Sequence, residues 1–144
     1  MNSSDRQKIV AIMKANNFFA FLATCDSGQP RVRPVAPIVE DDMSVWVATS
    51  AKSRKVKQIK QNPKISLAFV QHPEGEKAAT VIGEAEIVAD MEQKKRIWEL
   101  APYDLSQYFP EGPEMKDYCL LRINVGKIEW WEDFESGTKT YEPH

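Results

Sequence analysis

The chain carries Thr49-Ser50-Ala51-Lys52-Ser53-Arg54-Lys55-Val56, which places three hydroxyls and three cations at one turn ahead of a helix-like segment. Neutral and charged donors gathered where the first amides of a helix point make a cradle for phosphate or another small anion. Ser53 is the expected N-cap, so Arg54 and Lys55 fall in the first helical turn, where positive charge opposes the helix dipole. A bound anion would reverse that penalty. The same residues can also be read as a solvated basic helix start, since Lys and Arg are mostly exposed. The dipole penalty favours the anion.

Two elements must position this turn. Ser44 to Thr49 is short, β-branched and aromatic, a strand that delivers Thr49 to the turn. After it Val56, Ile59 and Lys60 lie at helical spacing, and Asn62-Pro63 stops the helix. Upstream, Ser4 and Gln7 make a capping box for a helix carrying Ile9, Val10, Ile12 and Met13, ending near Asn16-Asn17. Phe18 to Cys25 reads as a strand and Asp26-Ser27-Gly28 as a turn. Pro30 to Val39 is extended, with Val32, Val35 and Ile38 as its apolar positions, and Glu40-Asp41-Asp42 closes a second hairpin.

Downstream, Ile65 to Val70 and Ala78 to Val88 are further strands. Asp90 with Gln93 caps a helix through Leu100 that is expected to bury Met91, Ile97, Trp98 and Leu100. Residues 101–117, rich in Pro, Tyr and acids, form a partly helical lid or an interaction segment. Tyr118 to Ile123 and Lys127 to Trp131 supply the last strands, and residues 132–144 read as a flexible tail unless a partner holds them. Many short strands with few helices fit an antiparallel barrel in an α+β domain. At 144 residues the chain reads as a single domain, 1–144.

Several separated motifs recur in one order: Gly28-Gln29-Pro30, Arg33-Pro34-Val35, Ala48-Thr49 with Ser53-Arg54-Lys55, and Asn62-Pro63-Lys64-Ile65-Ser66-Leu67-Ala68-Phe69. Together they resemble the FMN-binding split β-barrel family related to pyridoxamine 5′-phosphate oxidase, over residues 28–86 and more loosely to Trp131. The resemblance implies a six-stranded antiparallel split β-barrel with peripheral helices and a homodimer whose two flavin sites are shared between chains. It also implies FMN lined by Arg33, Pro34, Val35, Ala36, Ala48, Thr49 and Ser50, with its phosphate on Ser53, Arg54 and Lys55. Ile128-Glu129-Trp130-Trp131 resembles a family segment that approaches the flavin across the dimer, which makes Trp131 a further candidate. Plain burial at an interface is the other reading of Trp131, and solvent exposure beside Arg31 is the other reading of Arg33.

The chain also departs from the oxidase. No arginine follows Arg122 and the segment after Trp131 is acidic, so the grip on a pyridoxamine phosphate is missing. Ala48 and Ala78 stand where the oxidase has a tyrosine and a glutamine near the flavin. The resemblance is closer to the short, general-stress-protein-like or flavin-reductase-like members. It implies an FMN-dependent oxidoreductase that passes hydride or electrons to a small organic acceptor, with NAD(P)H as a candidate donor and catalytic residues unassigned. A non-catalytic FMN carrier or redox sensor is the alternative. Haem and deazaflavin are disfavoured, for want of a placed axial ligand and of more cations.

Composition narrows the remaining classes. A formal charge of −2 argues against nucleic acid and anionic membranes. Cys25 and Cys119 lie far apart, and His72 and His144 are isolated, so no metal-ligand spacing exists and both cysteines read as small buried hydrophobes. The opening residues lack a leader-like apolar stretch, which predicts a cytoplasmic protein. Tyr103, Tyr108 and Phe109 read as an aromatic packing patch, with an acceptor pocket as the alternative.

Overall fold

Inward-facing apolar residues at every second position, such as Ala20 and Leu22, Ile65, Leu67 and Phe69, set the strand faces of the computed structural model, which describes residues 3–143. The order is α1 (Ser3–Ala15), β1 (Ala20–Asp26), β2 (Gln29–Val35), β3 (Ile38–Val39), β4 (Val45–Ser50), α2 (Arg54–Gln61), β5 (Lys64–Val70), β6 (Ala78–Val88), α3 (Met91–Leu100), β7 (Tyr118–Trp131) and β8 (Lys139–Tyr141). All pairings are antiparallel. The sheet path runs β2-β1-β5-β6-β7-β4-β3, with β8 on β7. This is an α+β curled sheet of the split-barrel kind, with eight strands rather than the expected six.

The extra strands have physical causes. Ala36-Pro37 interrupts the extended segment, and Pro37 has no N–H for a ladder. β2 therefore pairs with β1 at one end of the path and β3 with β4 at the other. Two residues of chain thus join the two edges, where no ladder hydrogen bonds do. The last two expected strands are one: β7 runs unbroken through Gly126, which is the extra residue of a bulge opposite Ile82 and Gly83. A Cβ on Gly83 would lie 2.0 Å from the Asn124 carbonyl oxygen. Gly83→Ala is therefore expected to lose about 1–3 kcal/mol, read from the urea midpoint at unchanged slope.

The apolar residues form two clusters. Inside the curl, α1 contributes Ile9 and Met13, which meet Leu22, Val45, Val47, Leu67, Val81, Leu121, Ile128 and Trp130. On the other face of β4 and β7, Trp46, Leu120 and Tyr118 pack with Ile97, Leu105 and Phe109. Other expectations shift at the margins. Ser4 lies within α1 rather than at its cap. In α3 the Asp90 side chain accepts from the Glu92 amide as a cap should, but Gln93 bonds Arg96 instead of closing a capping box. Ile97 is buried and Trp98 packs on the second cluster, whereas Met91 and Leu100 are exposed. The expected tail is partly strand: β8 pairs with Ile128 to Trp130, and Tyr141 is buried. No helix of the described residues is long and apolar enough to cross a membrane.

Candidate functional site

A cleft of about 410 Å³ opens where β2 leaves the sheet. Pro34, Val35 and Ala36 line one wall, Ala48, Thr49 and Ser50 of β4 the other, and Lys55 supplies the one cation of the lining. Segment 101–117 lies over it as a roof, contributing Tyr103, Leu105, Tyr108, Phe109 and Asp117, so the lid reading of this segment is the one the geometry follows. The roof is pinned. Tyr103 donates from its hydroxyl to the Ala36 carbonyl at 2.8 Å and stacks edge-on with Phe18. Burial pushes its phenol up to about 12. Tyr103→Phe should loosen the roof at a cost of about 1 kcal/mol. Faster amide exchange across 103–109, with the strands unaffected, is the expected readout.

At the cationic end the backbone follows the sequence reading and the side chains add to it. α2 begins at Arg54 with no acid in its first turn, and Ser53 sits at its N-cap with extended backbone. The Ser53 hydroxyl makes no capping bond; its Oγ is buried without a partner. Lys55 Nζ donates to Thr49 Oγ1 at 2.6 Å. Ser50 Oγ donates to Asp117 Oδ1 at 2.7 Å, and the Ala51 amide to the Asp117 carbonyl at 2.8 Å, which ties the end of β4 to the roof.

Arg33 lies outside the cleft lining and is half-buried rather than solvent-exposed. It sits opposite Leu22 on the face that α2 covers, and donates to the Leu22 carbonyl at 3.1 Å, Thr24 Oγ1 at 2.9 Å and Gln58 Oε1 at 3.0 Å. Burial, then the neighbouring Arg31, lowers its pKa, and burial, then Arg33, lowers that of Lys55. The two cations therefore repel, and neither forms an ion pair among the described residues. The other consequence is on β2, where Val32 faces outward: it is 69% exposed, beside the exposed Phe21 of β1, while Val35 packs on the inner cluster.

The structure brings Pro34, Val35, Ala36, Ala48, Thr49, Ser50 and Lys55 to one cleft. Arg33 and Ser53 stand behind it, and Arg54 lines a separate hollow on the outer side of α2. Trp131 is elsewhere, opposite Ala78 at the far end of β7, half-buried with its indole N–H unpartnered, while Trp130 is core. Sequence reasoning missed Phe18, Leu105, Asp117 and the buried Thr24–Gln58 pair; the Pro-, Tyr- and acid-rich 101–117 was the signal for the two roof residues among them. Cys119 is buried as expected and burial raises its thiol pKa, whereas Cys25 is only half-buried.

A larger concavity, about 890 Å³, crosses β1, β5, β6 and β7 at the bulge. Its Lys64 and Lys127 are matched by Glu84 and Glu142, so its charges cancel, and the chemistry concentrates in the smaller cleft.

Known proteins share this architecture. A general stress protein 26-related structure from Clostridium acetobutylicum superposes with a TM-score of 0.80 at 19% identity, covering 99% of this chain and 97% of that one. A heme binding protein from Mycobacterium smegmatis gives 0.77 at 16% identity, over 99% of this chain and 59% of that one. In sequence, the pyridoxine/pyridoxamine 5′-phosphate oxidase of Shewanella frigidimarina is 38% identical over 94 residues, 65% of this chain and 38% of the relative. The chain spans less than two fifths of the length of the curated oxidases it matches. The family model described as pyridoxamine 5′-phosphate oxidase matches residues 6–132, the stretch that runs from α1 through β7 and includes both walls of the cleft, and the chain belongs to that family.

Proposed function

We propose that the chain is a single FMN-binding domain and serves as an oxidoreductase for a small organic acceptor. The observation that carries this is Lys55, a part-buried cation of the cleft lining with no acid of its own, two residues from the buried, unpartnered Ser53 hydroxyl and repelled by Arg33 behind it. A phosphate would satisfy the lysine and the hydroxyl and offset the repulsion. Lys55 then gives up Thr49 or shares it, Ser53 turns its hydroxyl outward, and Arg54 swings from the outer side of α2 to close the turn. The backbone of Pro34 to Ala36, at the split, faces the ring system, and Tyr103 and Phe109 keep water from above it. When bound, FMN supplies the hydride and electron chemistry; these residues hold, orient and shield it.

A second copy of the chain completes the site in this reading. Trp131 lies outside the cleft of its own chain, and Phe21 and Val32 leave an apolar outer face next to Pro34. We place the homodimer there, with Trp131 reaching the partner's flavin. A sedimentation experiment giving a stable monomer that binds FMN at full stoichiometry overturns the shared site.

The decisive observation on the whole protein is its chromophore. A yellow preparation releasing FMN is expected; colourless protein that fails to take up added FMN overturns the proposal. Bleaching by NAD(P)H with turnover of an acceptor separates an enzyme from a carrier or sensor. Haem has less support: the cleft lining holds no His, Cys or Met, and of its two tyrosines Tyr103 is bonded to Ala36 and Tyr108 is 64% exposed at the roof. The missing arginines after Arg122 make vitamin B6 oxidation the weakest of the oxidase readings. A cytoplasmic location of the protein fits its charge and composition.

A further inference from the structure

A separate hollow of about 270 Å³ lies between the β1–β2 hairpin and the outer side of α2, lined by Asp26, Arg31, Arg54, Lys57, Gln58 and Gln61. Its charges do not cancel. Asp26 is held by Arg31 at 3.2 Å, whereas Arg54 and Lys57 have no side-chain partner among the described residues. Three cations against one acid leave an excess of two positive charges, which a phosphate dianion matches.

Gln58 gives the independent sign of a ligand. The residue is 7% exposed, and its Oε1 accepts from Thr24 Oγ1 at 2.5 Å and from Arg33 Nη2 at 3.0 Å. A guanidinium can only donate, so the oxygen must be the atom that faces Arg33, and the amide nitrogen is the end left over. That nitrogen has no protein partner among the described residues and is the end of an otherwise buried side chain that reaches the surface of the hollow. Arg33 thus fixes the orientation of the amide and leaves its two N–H donors for an acceptor. The Gln61 amide and the Lys57 ammonium line the same hollow and add further donors to it.

We propose that this hollow is a second anion site, outside the cleft, that takes the phosphate group of a small phosphorylated ligand. Lys57 and Gln58 are its core, Arg31 and Gln61 its rim. Arg54 stands between hollow and cleft, so the site keeps Lys57, Gln58, Arg31 and Gln61 whether or not Arg54 is drawn to a flavin phosphate.

The test is a titration of the full-length ¹⁵N-labelled chain with inorganic phosphate, then with glycerol 3-phosphate, each against sodium chloride at matched ionic strength. A saturable shift of the Gln58 side-chain NH₂ pair is expected with both phosphates and not with chloride. Lys57→Ala should raise the midpoint about tenfold or more, with the core amides of Leu67 and Val81 unmoved as a check on folding. Lys55→Ala should leave the midpoint within about twofold. An equal shift with chloride means only a screened basic surface and overturns the site. Loss of the shift in Lys55→Ala overturns it too, because the phosphate then sits in the cleft and is felt through α2. A shift with inorganic phosphate alone overturns the assignment to a phosphorylated ligand.

Discussion

Lys55→Ala is expected to weaken FMN binding by roughly 10- to 150-fold, the equivalent of about 1.5–3 kcal/mol for one charge-assisted contact. The fold should survive, because the Lys55 side chain gives up only one bond, to Thr49. Riboflavin has no phosphate, so its affinity should change far less, and fluorescence titration with both flavins separates a lost phosphate contact from general damage. Equal weakening of the two, or none, would show that Lys55 does not hold a phosphate. The pH dependence follows from the lowered pKa of Lys55, caused by burial first and Arg33 second. Below that lowered pKa the free lysine is charged and ready for the anion. Above it, binding must take up a proton, so FMN affinity should fall as pH rises through it. Arg54→Ala should also weaken FMN in preference to riboflavin if the guanidinium swings to the turn.

Trp130→Ala should be the more damaging change to the fold, costing about 3–5 kcal/mol out of a total of roughly 5–15 kcal/mol for a domain. Trp130 is 1% exposed, in the inner cluster, and carries the Lys139 ammonium over its ring at 4.8 Å. Truncation leaves a cavity where β6, β7 and β8 meet. Urea unfolding should show a much lower midpoint, and Trp130→Phe should recover a large part of it. The neighbouring Trp131→Ala separates the two indoles: half-buried at a strand end, it should cost the isolated chain far less. If the flavin site is shared, it should instead weaken FMN binding in the dimer. A Trp130→Ala chain as stable as its parent would show that the β7–β8 contact is not where the inner cluster is anchored.

Much of the fold was legible because its signals are local. The Asn62-Pro63 stop ends α2 to the residue, and β5 and β6 lie where alternation and flanking turns put them. The walls of the cleft were legible for another reason: the family resemblance, whose implied site covers Pro34 to Ala36 and Ala48 to Ser50. What failed is nonlocal. Solvent exposure was one reading of Arg33, but α2 covers that face of β2 and accommodates the guanidinium through Thr24 and Gln58, which leaves Val32 on the outside. Likewise Gly126 looked like the gap between two strands, because the bulge that carries β7 through it depends on Gly83, more than forty residues earlier. The hydroxyl of Ser53 was expected to cap a helix and is instead left over, a difference that no pattern of residue types encodes.

The two-residue link at Ala36-Pro37 gives this chain a natural point for circular permutation. Arg6 in the second turn of α1 and Pro143 beyond β8 line one small hollow, so the first helix and the last described residue meet there. A short linker between them, with new termini cut between Ala36 and Pro37, would preserve every ladder pairing and abolish only the covalent closure of the curl. Such a permutant should keep its strands yet loosen the end of the wall opposite β4 at Ala36. Flavin affinity and secondary structure, which change together in most core variants, would then be measured apart.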